Sequence, residues 1–172
     1  MLIIGIDGFN SYVAKNFYNK YKRKYKIYKF KSDINNINKL KDFINKKKIS
    51  IFIRVAGLSR TKCDTYPKKC LSTNYNANKH LVDFLKKKKI KLIFLSSSHV
   101  YSSSIKKINE KSKINPNNRY AKYKLKSENY INKHVNNYLI IRVFNIYGKR
   151  QPKGYFISDI KEKIKNKQII SI

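Results

Sequence analysis

The chain has 172 residues, 41% of them hydrophobic, which is enough for one domain with a sizeable core but short for two full domains. No apolar run approaches the roughly 18 residues of a membrane-spanning helix. The opening MLIIGIDG lacks the basic flank and cleavage site of a signal peptide. We therefore expect a cytoplasmic protein with no membrane partner. Cys63 and Cys70 lack zinc-like spacing, so we expect reduced thiols and no metal site.

The formal net charge of +32 invites a nucleic-acid-binding interpretation. However, Lys, Asn, Ile and Tyr are abundant together while Gly, Pro, Ala and Trp are scarce, a bias that AT-rich codons produce. The lysines are also spread over nearly every predicted surface, whereas nucleic-acid-binding proteins more often concentrate basic and aromatic residues on one element. We therefore favour a compositional origin and expect no nucleic-acid partner, although this charge would attract anionic substrates.

Predicted strands and helices alternate along the chain. Apolar runs predict strands at 2–6, 26–30, 49–55, 91–95 and 138–144. Apolar residues at helical spacing predict helices at 12–21, 37–44, 119–135 and 156–164, with another around 81–85. The longest irregular stretch is 102–118. This alternation predicts an α/β fold with a doubly wound, mostly parallel sheet and helices on both faces.

The segment GIDGFNS, residues 5–11, lies between the first predicted strand and the first helix. Glycines at such a place let the backbone turn tightly and approach a pyrophosphate at the helix N-terminus. We therefore predict that Gly5, Gly8, Phe9, Asn10 and Ser11 bind a dinucleotide, with a purely structural turn as the alternative. Ser11 replaces the third glycine of such loops, so we expect its side chain to crowd the helix against the strand.

The end of the second predicted strand bears on the choice of cofactor. An acidic residue there binds the ribose 2′-hydroxyl in NAD enzymes, but this chain has Lys31 followed by Ser32. A lysine suits the extra 2′-phosphate of NADP, so we favour NADP over NAD. Two alternatives stay open: Asp33 could bind the ribose instead, and Lys31 could reflect composition alone.

Tyr120 and Lys124 form a Tyr-x-x-x-Lys pair, which brings both side chains to one helix face. The ammonium is expected to lower the phenol pKa from about 10, so that Tyr120 can exchange a proton with a hydroxyl or ketone. The same spacing recurs at three other pairs: Tyr18/Lys22, Tyr25/Lys29 and Tyr75/Lys79. Position favours Tyr120, because the preceding strand ends in SSSHVY, residues 96–101, and open α/β sheets bind ligands at that edge.

Five segments, in order, resemble those of extended short-chain dehydrogenases of the NAD-dependent epimerase/dehydratase type. They are GIDGFNS at 5–11, VAGLSR at 55–60, SSSHVY at 96–101, NPNNRYAKYK at 115–124 and RVFNIYG at 142–148. The resemblance implies a Rossmann-type NAD(P)-binding domain at 1–150 and the start of a truncated substrate-binding lobe at 151–172. Glu128, Pro67 and Asn74 also fall at the family's spacing, with a helix opening at Asn74. Ser50, Arg54 and Ser102 depart from the pattern.

The same resemblance implies roles for individual residues. Ser97, Tyr120 and Lys124 would be catalytic. Cofactor contacts would come from the glycine loop and from the following residues: Lys31, Ala56, Gly57, Asn74, Tyr120 and Lys124. Ser98, His99 and Asn145 would contact substrate, with a solvated loop histidine as the alternative for His99.

The implied activity is an NAD(P)-dependent reaction on a nucleotide-diphosphate sugar. A 4-keto reduction or a 4-epimerisation is favoured over dehydration, because Ser98 and His99 stand where dehydratases usually have acidic residues. The main alternative is a non-catalytic dinucleotide-binding subunit or a decayed fragment. A third interpretation, a nucleic-acid-binding protein, is supported only by the net charge. The sequence leaves the sugar, the nucleotide and the oligomeric state open, with a homodimer among the options.

Overall fold

A computed structural model of the chain describes residues 2–149 and 151–167. It contains one five-stranded parallel sheet in the order β2-β1-β3-β4-β5. The strands are β1 (Ile3–Ile6), β2 (Lys26–Lys29), β3 (Ile51–Arg54), β4 (Lys91–Ser97) and β5 (Tyr138–Val143). The chain adds β2 on one side of β1 and β3 on the other. The strand order therefore reverses at β1, and a crevice opens at the carboxyl ends of β1 and β3, where sheets of this kind bind ligands.

Seven α-helices accompany the sheet within these residues. They are α1 (Tyr12–Tyr21), α2 (Ile37–Lys46), α3 (Arg60–Thr65), α4 (Pro67–Leu71), α5 (Ala77–Leu85), α6 (Arg119–His134) and α7 (Phe156–Lys165). The predicted doubly wound α/β fold is confirmed, and every predicted strand and helix is present with bounds shifted by a few residues. None of the described helices is long and apolar enough to cross a membrane.

Apolar side chains pack on both faces of the sheet. The larger cluster joins the sheet to α2, α5 and α6 and includes the fully buried Leu40, Leu81, Phe94 and Ile131. The smaller one lies beneath α1, where Ala14 packs against β1 and β3. Helices on both faces explain why strand residues such as Ile6 and Phe52 are inaccessible to solvent.

Two local predictions are wrong. Cys63 and Cys70 form a disulfide rather than two reduced thiols. The helix expected to open at Asn74 begins earlier, because Pro67 opens α4 and a π-helical turn at Ser72–Asn76 joins it to α5. Thr73 of the π turn lines the crevice, and the neighbouring Asn74 contacts the Cys63 sulfur and the backbone of the loop after β3.

Candidate active site

The crevice consists of two adjoining clefts at the carboxyl edge of the sheet. One, of about 940 Å³, extends from the glycine loop to the end of β2. The other, of about 570 Å³, lies over the ends of β4 and β5 and contains Ser97, Tyr120 and Lys124. Four residues line both: Ser11, Val55, Ser59 and Tyr155. The clefts therefore form one continuous site. One end of an extended ligand would contact the glycine loop, and the other end would contact Ser97, Tyr120 and Lys124.

The glycine loop is shaped by the backbone it packs against. Gly8 has a φ of +62°, and a Cβ on it would lie 2.7 Å from the amide nitrogen of Ala56. Glycine is therefore required by the turn and by the contact with the end of β3. Ser11 does not crowd α1 as expected, because it is the N-cap and its Oγ accepts a hydrogen bond from the Ala14 amide.

The rim of the larger cleft is basic. Lys31 is exposed there, two residues after β2 ends, and Lys15 on α1, Lys29 on β2 and Lys62 on α3 line the same cleft. Asp33 also lines it, but its Oδ1 accepts hydrogen bonds from the backbone and side chain of Asn35, which hold the pKa of its carboxyl below the usual value. The cleft thus offers several cations to an anionic ligand.

Tyr120 and Lys124 share a face of α6, as their spacing predicts, but they affect each other differently than expected. The Lys124 Nζ lies 5.9 Å from the centre of the Tyr120 ring and donates a 2.6 Å hydrogen bond to the Leu95 carbonyl. Burial raises the pKa of Tyr120, opposed by a hydrogen bond with Ser97. Burial, followed by repulsion from Arg54, lowers the pKa of Lys124 to about 8. The expected lowering of the Tyr120 pKa by Lys124 is therefore wrong for this structure.

Ser97 ends β4 and begins a 3₁₀ turn at Ser98–Val100. Its Oγ accepts a hydrogen bond from the backbone N–H of His99. The Ser97 hydroxyl also hydrogen-bonds the Tyr120 side chain, so it ties Tyr120 to the end of β4. Ser98, His99 and Asn145, the residues predicted to contact substrate, line the same cleft.

Sequence reasoning missed a buried polar network beneath the crevice. Asp7 and Arg54, which are 0% and 1% exposed, form an ion pair at 2.7 Å between the ends of β1 and β3. Asp7 also accepts hydrogen bonds from the amides of Val55 and Ala56, and Arg54 donates to Asn78 on α5. This network fixes the loop after β3 against the glycine loop. The only signal in the sequence was that Arg54 departs from the family pattern.

A second network holds α6 against the sheet. Glu128 on α6 is buried and accepts a bidentate pair of hydrogen bonds from Arg142 on β5, and it also accepts one from the Ser96 hydroxyl. Ser127 and Asn78 link α6 to the π turn at Asn74. These contacts set the position of α6, and therefore of Tyr120, relative to the end of β4.

Two predicted cofactor residues line neither cleft. Gly5 is buried within β1, where a Cβ would lie 3.0 Å from the Phe52 ring. Asn74 is buried and bonds both the N–H and the carbonyl of Leu58, so it shapes the loop from behind. The other predicted cofactor residues line the crevice. Arg60 and Tyr155 line the cleft of Tyr120 although neither was predicted as a site residue.

A model of the NAD dependent epimerase/dehydratase family matches residues 1–172. The chain belongs to this family. It is 30% identical over 135 residues to an ADP-L-glycero-D-manno-heptose-6-epimerase from Brachyspira hyodysenteriae, a match that covers 74% of the chain and 42% of that protein. NADP or NAD, the cofactor expected from the sequence, agrees with the family.

Solved structures show the same fold. A dTDP-4-dehydrorhamnose reductase from Bacillus anthracis, in complex with NADP, superposes with a TM-score of 0.89 at 21% identity, covering 100% of this chain and 63% of that one. A UDP-glucose 4-epimerase from Thermotoga maritima, with UDP-glucose, has a TM-score of 0.86 at 16% identity and covers 99% and 65%. The chain thus spans less than two thirds of the length of these relatives.

Proposed function

We propose that this chain is the dinucleotide-binding part of an oxidoreductase or epimerase that acts on a nucleotide-diphosphate sugar, by 4-keto reduction or 4-epimerisation. One observation carries the proposal: Ser97, Tyr120 and Lys124 meet in a cleft that opens directly into the crevice of the glycine loop. A proton donor beside a dinucleotide-shaped groove is the arrangement that carbonyl reduction requires.

The residues of the larger cleft fit NADP or NAD. The tight turn at Gly8 leaves the backbone of residues 8–11 open to the cleft, so the pyrophosphate would lie at the N-terminus of α1. Ala56 and Gly57 would form the floor, and Lys31 would face the adenosine ribose. When bound, the nicotinamide supplies or accepts the hydride at the sugar carbon.

The side chains of the smaller cleft would handle the proton. In the reducing direction Tyr120 gives its phenolic proton to the ketone oxygen, and its raised pKa keeps that proton in place until the reaction. The Ser97 hydroxyl, which is a hydrogen-bond partner of Tyr120, would donate to the same ketone oxygen. Lys124, with a pKa near 8, carries a positive charge at neutral pH and would hold the nicotinamide ribose.

Other features stay proposals. We propose a dinucleotide-binding domain at 1–150 followed by the start of a substrate lobe at 151–172, of which Arg150 and residues 168–172 lie outside the described part. The cytoplasmic location and the homodimer are still predictions. Disulfides such as Cys63–Cys70 are rare in reducing compartments, so the predicted cytoplasmic location requires a direct test.

The decisive experiment replaces the phenol and keeps its ring. Tyr120→Phe should slow NADPH oxidation with dTDP-4-dehydrorhamnose by about 10²–10⁴-fold, because the proton donor is lost, while NADPH affinity measured by fluorescence changes little. Tyr25→Phe is the matched control, since Tyr25 has the same spacing to Lys29, and it should retain the wild-type rate. Equal rates for wild type and Tyr120→Phe would refute the proposed role of Tyr120.

The principal alternative is a dinucleotide-binding subunit without turnover. Saturable NADPH binding, together with no sugar reduction or epimerisation by wild type or Tyr120→Phe, would favour it. Absence of binding to either NADPH or NADH at millimolar concentration would exclude both the enzyme and this alternative.

A further inference from the structure

Reduction consumes one proton from Tyr120 in each turnover, so the phenol must be recharged from solvent. Its two catalytic neighbours are poorly placed to do this. The Lys124 side chain is buried and its Nζ is bonded to the Leu95 carbonyl. Ser97 is 5% exposed, and its oxygen accepts from the His99 amide. Neither side chain provides a path to bulk water.

His99 does reach water and also contacts Tyr120. Its side chain is exposed, and the two rings meet edge to face with centroids 6.1 Å apart and an interplanar angle of 82°. The 3₁₀ turn holds it in this position, anchored by the Ser97 cap and by the buried Val100. No side-chain hydrogen bond involves His99 within the described residues, so both ring nitrogens are available.

From this placement we propose that His99 relays protons between solvent and the Tyr120 oxygen. The inference rests on the proposed function, because it assigns the proton supply of that reaction. As the ketone oxygen takes the phenolic proton, the Tyr120 oxygen takes a proton from one ring N–H of His99, directly or through one water. The other ring nitrogen takes a proton from solvent at the same time, so the imidazole ends the step neutral, with its proton on the opposite nitrogen. The steps reverse during oxidation, and no oxidant or reductant beyond the cofactor is needed.

The other groups that face this cleft suit such a relay. An imidazole is the side chain that changes charge most readily near neutral pH. No carboxylate lines the cleft among the described residues. The remaining titratable or charged lining groups come from α3, α6 and the chain after β5: Arg60, Tyr120, Lys124, Tyr147 and Tyr155. His99 therefore is the imidazole best placed to pass a proton to Tyr120.

NMR at fixed pH tests the contact without requiring turnover. The chain has 3 histidines, so their ring signals can be resolved. Tyr120→Phe should change the ring nitrogen chemical shifts of His99, because these shifts report hydrogen bonding and the variant removes the phenolic oxygen. His134, whose ring centre lies 4.3 Å from that of Tyr130, is the control and should not respond. Unchanged His99 chemical shifts would overturn the relay, whether or not the chain reduces a sugar.

Kinetics then test the relay itself. His99→Gln should lower kcat for sugar reduction by about 10-fold or more, leave both KM values within twofold, and steepen the fall in kcat as the pH rises above 7. Added imidazole should restore much of the loss, which a merely structural role would not allow, and His134→Gln should behave as wild type. An unaltered kcat, or a loss that imidazole does not rescue, would overturn the relay. Absence of turnover in wild type with the His99 shift present would instead count against the proposed function.

Discussion

At the scale of single residues, we propose that Lys31 selects between the two cofactors. It stands at the rim where an NAD enzyme would present a carboxylate, and Lys15, Lys29 and Lys62 line the same cleft. The neighbouring Asp33 is engaged by Asn35. The structure therefore leaves Lys31 as a candidate partner for a 2′-phosphate.

Replacing Lys31 tests that assignment. Lys31→Asp should lower NADPH affinity at least tenfold, because a charge-assisted contact of about 1.5–3 kcal/mol is lost, and should raise the preference for NADH. Fluorescence titration with both cofactors measures the ratio of affinities. Lys20→Asp, on the last turn of α1, makes the same change in net charge and should leave the ratio unchanged. If Lys31→Asp and wild type have the same ratio of NADPH affinity to NADH affinity, Lys31 does not select the cofactor and only reflects the lysine-rich composition.

Environment also decides the pKa values of Tyr120 and Lys124. Spacing alone predicts that Lys124 and Tyr120 share a helix face, which is confirmed. It does not reveal that Lys124 is buried against the Leu95 carbonyl, 5.9 Å from the centre of the Tyr120 ring. Desolvation consequently dominates both side chains, raising the pKa of Tyr120 and lowering that of Lys124.

At the scale of elements, the ends of β1 and β3 are held together by the Asp7–Arg54 pair. Removing one charge from a buried pair leaves the other without compensation. Arg54→Met should therefore lower the free energy of unfolding by about 3–5 kcal/mol. The double variant Asp7→Asn/Arg54→Met should lose less than the sum of the two single variants, because it leaves no unpaired charge.

Urea unfolding of the four proteins in this cycle measures the coupling. Lys86→Met breaks the exposed pair with Asp83 and is the control, with an expected loss below about 1 kcal/mol. Strict additivity of the Asp7 and Arg54 changes would show that the ion pair does not couple β1 to β3.

Also at the scale of elements, the Cys63–Cys70 disulfide and the π turn at Ser72–Asn76 support the loop that follows β3. Cys63 on α3 and Cys70 on α4 are both inaccessible to solvent. The Asn74 side chain, in the π turn, bonds the Leu58 backbone and contacts the Cys63 sulfur. The loop after β3 is thus braced from behind by residues whose role the sequence did not disclose.

At the scale of the whole molecule, a net charge of +32 on 172 residues must repel itself. The folded state confines these charges, whereas the unfolded chain disperses them. Added salt should therefore stabilise the folded state, because screening lengths fall from about 10 Å at 0.1 M to about 3 Å at 1 M.

Raising NaCl from 0.05 to 0.5 M should increase the free energy of unfolding by about 1 kcal/mol or more, equivalent to roughly 2–4 °C in Tm. Urea unfolding at each salt concentration measures the free energy, and thermal unfolding measures Tm. A constant or lower stability at high salt would show that the surface charges are already compensated in the fold.

The sequence by itself determined the order of strands and helices, because hydrophobic periodicity and turn residues are local signals. Alternating strands and helices then imply a parallel sheet, and with it the edge where the glycine loop and the ends of β3 and β4 meet. Only the tertiary structure decided which residues touch across that edge. The Cys63–Cys70 bond, the Asp7–Arg54 pair, the packing of Gly8 against Ala56 and the shifted pKa of Tyr120 all depend on how separate elements pack. Distances between elements and the removal of water are properties of the packed chain, and no local pattern of residues encodes them.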